Sequence, residues 1–449
     1  MQLISYSSFS VSSASSAVRN SSMNKNPIQL TIQKPTFLSP WLYVPTLYFA
    51  AGLPYVIVNN VSVIFYKNLG IDNTQIAFWT SFLYLPWVIK MFWGPLVDLY
   101  STKRNWILYT QLTMGCCLAG LAFSLQSANF FFISLFALTI IAFVSATHDI
   151  AADGFYLLAL SEEKQAFFVG IRSVFYRLAA IFSSGVLVFW AGKLQISLVN
   201  VAFSWSLAIA LTALIFVAIF IFHQFALPNP EISNSVTLKN KSYTQIIKAY
   251  FTQEKIWVIV AFIVLYRFGE AMLVKITPPF LLDETQVGGL GLSTSVVGLT
   301  YGTFGSIALI VGGIIGGILI ERYGIKKCLL PMALALNLPN IFYVYMAYTQ
   351  PQIQLVYLLI SVEQFGYGIG TAAYSVYLMY LAKNEYKTSH FAISTGLMAL
   401  GMMLPGFISG YLQQWMGYQL FFIVVVLLTI PGMLTLFFIP LTDEVDISQ

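Results

Sequence analysis

Charge is what this chain lacks most. Only 9% of its 449 residues are Asp, Glu, Lys or Arg, against ~25% in ordinary soluble domains. A soluble assembly of this length needs several charged surfaces, so that class is excluded. Cysteine is scarce as well. Cys116, Cys117 and Cys328 lie in or beside apolar runs without ligand spacing, which excludes a disulfide framework and a zinc site. No acid precedes Asp72, and no apolar core near the start suits a secretory signal. Nucleotide-binding signatures, nucleophile–base motifs and phosphate-binding loops are also missing. Neither an ATP-driven machine nor an enzyme is indicated, and no cofactor or metal is called for. The net charge of +5 is spread through short loops rather than one face, so nucleic acid is not an expected partner.

What the chain has is apolar length, with 58% hydrophobic residues. Candidate spans lie near 41–66, 75–99, 105–126, 129–160, 165–192, 197–223, 256–282, 294–320, 328–349, 353–382, 389–413 and 418–440. Each reaches the ~20 residues that cross a ~30 Å hydrocarbon core. The expected fold is therefore an all-α membrane protein with twelve transmembrane helices in two six-helix halves. Residues 1–40 read as a disordered Ser-rich tail, with Met23 as an alternative start. The bundles fall at 41–223 and 256–440, joined by a cytoplasmic linker at 224–255, and 441–449 form a C-terminal tail.

Lys and Arg set the orientation. With both termini inside, Arg19, Lys25, Lys34, Lys103, Arg104, Lys164, Lys239, Lys241, Lys248, Lys255, Arg322, Lys326, Lys327, Lys383 and Lys387 are cytoplasmic, and only Lys67 and Lys193 lie opposite. A repeat supports the division into halves. GPLVDLYSTKR after the second span offers Gly94, Asp98, Lys103 and Arg104; GILIERYGIKK after the eighth offers Gly317, Glu321, Arg322, Lys326 and Lys327. These residues are candidate gating loops, where glycine allows close approach and opposite charges can lock helix ends. The pattern resembles the signature loop of the major facilitator superfamily, whose halves rock about a midplane site. The first copy has an extra residue before its basic pair and lacks the arginine after the acid.

Charges inside apolar spans are expensive and point to function. The hairpin of spans four and five carries Asp149 and Asp153 before its turn and Arg172 and Arg177 after it. At ~1.5 Å rise per residue, Asp153 and Arg172 lie about 14 Å from the turn, and Asp149 and Arg177 about 21 Å. An acid and an arginine thus match in depth twice, but Arg172 and Arg177, at i and i+5, point about 140° apart, so one is expected to pair within the bundle and the other to meet a cavity. Asp149, Asp153, Glu270 and Glu363 are candidate proton carriers. Arg177, Arg172, Lys90 and Arg267 are candidates to hold an anionic group, with Tyr156 and Tyr367 on the same helical faces as the acids. The competing reading is that the pairs only fix helices. Arg267 and Glu270, at i and i+3, suit an intrahelical pair. His148 lies off the acidic stripe and reads as a packing histidine. Gly312/Gly316, Gly313/Gly317, Gly366/Gly370 and Gly406/Gly410 have the spacing of close helix contacts, and Pro86, Pro278, Pro279 and Pro405 are places for kinks.

ATHDIAADGFYLLAL, with LPWVIKMFWGPLVDLY, GIRSVFYRLA, YRFGEAMLVKITPPFL and VEQFGYGIGTAAY, is similar to the peptide–acetyl-coenzyme-A transporter family. The likeness runs from Tyr43 to Leu441. One branch of that family is the AmpG-type muropeptide permeases of bacteria, and the other carries acetyl-CoA. Lys90, Asp98, Asp149, Asp153, Arg177 and Glu363 fall on its motif positions, and Arg267 and Glu270 keep its charge pattern. His148 replaces a glutamine of the AmpG branch, and AADGF is nearer the acetyl-CoA branch. The resemblance implies a proton-coupled symporter importing anhydro-muropeptides across a Gram-negative inner membrane, and a monomer is expected. Its partners would be the lipid bilayer, protons and a small glycopeptide. The alternatives are a carrier of acetyl-CoA or another anionic metabolite such as a siderophore, and, more remotely, a membrane sensor or enzyme on the same scaffold.

Overall fold

A computed structural model describes residues 39–94, 97, 100–229, 243–382 and 387–441. The described residues form helices and short connections. A helix satisfies its own backbone groups, which is what a lipid environment demands. The long rods are α1 (Pro40–Asn68), α2 (73–92), α3 (Lys103–Ser124), α4 (Phe130–Ala159), α5 (162–198), α6 (Val201–Ala226), α7 (Ile256–Leu282), α8 (Thr294–Tyr323), α9 (Ile325–Thr349), α10 (Ile353–Leu381), α11 (387–416) and α12 (418–435). Among the described residues, nine helical stretches are long and apolar enough to span a bilayer. One of them, Ser389–Thr435, turns sharply at Gly417, where φ is 72° and ψ 173°. The interrupted α2 and the Glu- and Tyr-bearing α10 fall outside that set. The protein is a multi-pass integral membrane protein, and Phe123, Phe136 and Trp415 are among its outward-facing apolar side chains.

Side chains start several rods. Asp72 accepts from Gln75 N (2.9 Å), Thr102 from Asn105 N (3.2 Å) and Asn200 from Phe203 N (2.9 Å), each satisfying a donor the helix itself cannot. Of the linker expected at 224–255, residues 224–229 and 243–255 are described. It contains the helix Tyr243–Phe251, whose buried Tyr250 shares a 2.8 Å hydrogen bond with Ser394 of α11. The tails at 1–38 and 442–449, and Lys239, Lys241 and Lys383, lie outside the described residues.

Helix breaks fall where the prolines do not all predict. α2 is interrupted at Leu83–Tyr84, just before Pro86. α7 is interrupted at Tyr266–Arg267, and Arg267 has φ −112° and ψ 19°. Pro278 and Pro279 sit inside the helical stretch Phe268–Leu282, and Pro405 inside α11. Three rods also carry π-helical turns, Ile57–Val61, Ile181–Leu187 and Gly298–Gly305.

Those in α5 and α8 pack on each other. A Cβ on Gly302 would fall 1.8 Å from the Ser184 carbonyl, and one on Gly298 2.5 Å from Phe189 N. Only glycine allows that approach. Three of the four expected glycine pairs serve packing in the same way: Gly312/Gly316 between α8 and α10, Gly366/Gly370 between α10 and α9, and Gly406/Gly410 between α11 and α2. Gly313/Gly317 does not. Gly313 faces the Arg177 guanidinium, and Gly317 faces nothing within 4 Å.

One end of the bundle is sealed by polar contacts between the first and second groups of rods. Lys67 Nζ lies 2.6 Å from Asp283 Oδ1, and the Tyr418 hydroxyl donates to Asp283 Oδ2 at 2.5 Å. Asn73 donates to Gln413 (2.8 Å), Thr74 to Gln414 (2.6 Å), and Thr294 to Asn68 and Gln195 (2.9 Å each). This is the end that the distribution of basic residues assigns to the outside.

Candidate functional site

At the opposite end the α4–α5 hairpin carries an exposed ion pair. Arg172 Nη1 sits 3.1 Å from Asp153 Oδ1, and the two side chains are 33% and 55% exposed. The Tyr48 hydroxyl donates to the same carboxylate oxygen at 2.8 Å and accepts from Arg172 at 2.9 Å. The guanidinium lies over the rings of Tyr48 and Tyr156, 4.9 and 5.1 Å from their centroids. Tyr156 in turn donates to the Gln165 carbonyl across the hairpin turn. Asp153 and Arg172 therefore meet as their equal depth requires.

The deeper pair does not form. Asp149 accepts from Trp87 Nε1 at 3.1 Å and lies within electrostatic reach of Lys90 and Asp153. Arg177 points to the other group of rods: a Cβ on Gly313 would lie 3.3 Å from its Nη2. Equal depth fixes only height, while five residues of helix turn Arg177 about 140° away from Arg172. His148 is buried and shares a 3.1 Å contact with Gln111, which reaches His223 at 3.0 Å; His223 meets Thr46 at 2.8 Å. That chain ties α1, α3, α4 and α6 together.

A second cluster sits at the break in α7. The break carries Arg267 away from Glu270, so the expected intrahelical pair is replaced by a contact with α10. Arg267 donates to the Tyr367 hydroxyl and lies over its ring, 4.9 Å from the centroid. Glu270 is fully buried, and neither of its carboxyl oxygens has a hydrogen-bond partner among the described residues. Glu363, also fully buried, accepts from Tyr343 (3.0 Å) and Gln364 (3.1 Å). Glu270 lies within electrostatic reach of both Glu363 and Arg267.

Aromatic rings connect the clusters. Tyr55 of α1 packs 5.0 Å from Trp87, 6.5 Å from Tyr84 and 6.4 Å from Tyr176, within electrostatic reach of Asp149 and Arg267 alike. Reasoning from charge alone overlooked Tyr48, Tyr55, Trp87 and Tyr343. A signal was present in α1, where Tyr48, Gly52 and Tyr55 at i, i+4 and i+7 share one face. A Cβ on Gly52 would lie 2.7 Å from the Tyr176 carbonyl, so that face lies against α5.

The candidate gating residues are unequal. Arg104 donates to the Leu227 and Gln224 carbonyls at 3.0 and 2.5 Å, tying α3 to the end of α6 within one group of rods. Lys103 is buried, its stem against Gly154. Gly94 has open space about it, and Asp98 lies outside the described residues. In the second copy Glu321, Arg322, Lys326 and Lys327 are exposed, with Arg322 over the Tyr323 ring at 5.4 Å.

The profile of the Major Facilitator Superfamily matches residues 46–389 and, overlapping, 263–448. The anhydromuropeptide permease of Escherichia coli (strain K12) is 27% identical over 397 residues, 86% of this chain and 77% of that protein. Among solved structures, a D-xylose-proton symporter superposes with a TM-score of 0.69 at 12% identity, covering 89% of this chain and 97% of the other. The nucleoside transporter NupG superposes with a TM-score of 0.67 at 13% identity, covering 88% and 97%. These structures share the fold.

Proposed function

The chain belongs to the Major Facilitator Superfamily, and from that premise we propose a proton-coupled importer of anhydro-muropeptides that works by alternating access. A transporter is what its relatives support; the coupling ion, the cycle and the cargo are our reading. It has twelve spans in two six-helix halves, 41–223 and 256–440, with both termini inside, and acts as a monomer in a Gram-negative inner membrane. The observation that carries the reading is the asymmetry of the two ends. The Lys67–Asp283 end is closed across the halves, while the Asp153–Arg172 pair lies exposed at the other. A carrier closed outside and open inside has this arrangement, and releasing the outer contacts would admit cargo from the far side.

In this cycle Glu270, with Glu363 beside it, takes and releases the proton. A carboxyl group without donors is a place where a proton makes a large electrostatic difference. Asp149 beside Lys90 is the second carboxylate. Arg177 and Arg267, one from each half, hold an anionic group of the cargo, and the Tyr55–Trp87–Tyr176 cluster offers ring faces to its sugars. The test is uptake by proteoliposomes under an imposed pH gradient, comparing anhydro-muropeptide with acetyl-CoA. We expect gradient-driven accumulation of the muropeptide. Uptake indifferent to the gradient would remove proton coupling, and uptake of acetyl-CoA alone would replace the cargo.

A further inference from the structure

Lys275 lies in α7, seven residues before Leu282 and so about 10 Å below the outer end of that rod. It is 1% exposed. Its Nζ donates to Thr80 Oγ1 at 3.0 Å and sits over the Tyr84 ring, 4.9 Å from the centroid. Its stem passes Gly406 of α11, where a Cβ would lie 3.5 Å from Lys275 Cγ. No carboxylate among the described residues lies within ion-pair distance of it. The amine is thus buried at the seam between the halves, and its polar partners are neutral groups on the opposite half.

Burying a cation without a counter-ion is costly. Holding the seam shut does not require one, because Gly406 and Gly410 already bring α11 against α2 and an apolar side chain would pack there more cheaply. We infer that Lys275 is a specificity-determining residue for a carboxylate on the cargo. The inference rests on the alternating-access reading above. When the outer seam parts, Thr80 and Tyr84 leave with their half, and Lys275 faces the entry path above Glu270 and Arg267. Low-dielectric walls strengthen the attraction of such a charge for an anion. Thr80 and the Tyr84 ring are the stand-ins that receive the ammonium when the path closes empty.

The test uses the full chain in proteoliposomes, with an anhydro-muropeptide bearing a free terminal carboxylate and the same compound as its terminal amide. Wild type should prefer the acid. Lys275→Gln should raise KM for the acid about tenfold while leaving the amide unchanged, and Lys275→Arg should keep the preference. Equal loss on both compounds, or a preference that survives in Lys275→Gln, would overturn the inference. A second measurement needs no cargo. Lys275→Cys, with Cys116, Cys117 and Cys328 replaced by serine and Asp283 by alanine, should react with a membrane-impermeant maleimide from the outer side. No reaction overturns the placement of Lys275 on the outer path. Import of neither compound by wild type overturns the transport reading instead.

Discussion

The α4–α5 hairpin and the break in α7 each place acids near an arginine, and they treat them in opposite ways. In the hairpin, Asp153 is hydrogen-bonded by Tyr48, paired with Arg172 and more than half exposed. At the break, Glu270 is sealed and without donors, because its neighbouring arginine is turned onto Tyr367. In a continuous hairpin, residues of equal depth on facing sides can meet, as Asp153 and Arg172 do, whereas a broken helix sends neighbouring residues to different partners. The hairpin acid has a hydroxyl donor and a guanidinium about it. The acid at the break has no such support, and a change of its charge alters local energetics far more. That contrast is why the coupling role is assigned to the second cluster.

The sharpest challenge to this contrast is Glu270→Gln. An amide of nearly the same shape carries no exchangeable charge, so concentrative uptake should fall about a hundredfold or more, while exchange of cargo across equal concentrations persists. Counterflow and gradient-driven uptake in one preparation separate the two. Asp149→Asn comes next, with about a tenfold loss of accumulation and exchange partly retained, since Trp87 can still donate to the amide oxygen while Lys90 loses its nearby acid. If Asp149→Asn abolishes accumulation and Glu270→Gln does not, the coupling roles of the clusters are reversed.

Gly313→Ala probes the arginine that reaches from α5 to α8. The added methyl would stand 3.3 Å from Arg177 Nη2, so the guanidinium has to shift by a few tenths of an ångström. KM for an anionic cargo should rise by about three- to tenfold with little change in maximal rate. An unchanged KM would place Arg177 outside the binding site.

How far the sequence could be read follows from the same residues. Hydropathy and the paired glycines were legible because lipid exposure and close backbone approach act on residue type directly. Asp153–Arg172 was legible because depth in an unbroken hairpin can be counted along the chain. Arg267–Glu270 was misread because i and i+3 share a face only if the helix continues, and α7 is interrupted at Tyr266–Arg267. The departure of Arg177 from Asp149 was legible as well, because five residues after Arg172 it points about 140° away, so that one arginine pairs in the hairpin and the other leaves it. Lys67 was counted only as a charge on the outer side, and Asp283 was not singled out. Their meeting depends on how residues 216 positions apart in the chain are brought together, and no local pattern encodes that.

The smallest expected effect belongs to that outer contact. The Lys67 and Asp283 side chains are 15% and 18% exposed, so solvent screens part of their attraction, and Asp283 keeps its Tyr418 hydrogen bond if the lysine is removed. Lys67→Gln should therefore weaken closure of the outer end by about 1 kcal/mol, roughly a fivefold shift between closed and open forms. The closed state is also held by Thr74–Gln414 and by Thr294 on Asn68 and Gln195, so the variant should still transport. The shift can be read as faster outer-side labelling of Lys275→Cys when Lys67→Gln is added to it. Labelling no faster than in the parent would mean that the small-residue seam of α2 against α11, rather than the ion pair, decides when the outer end opens.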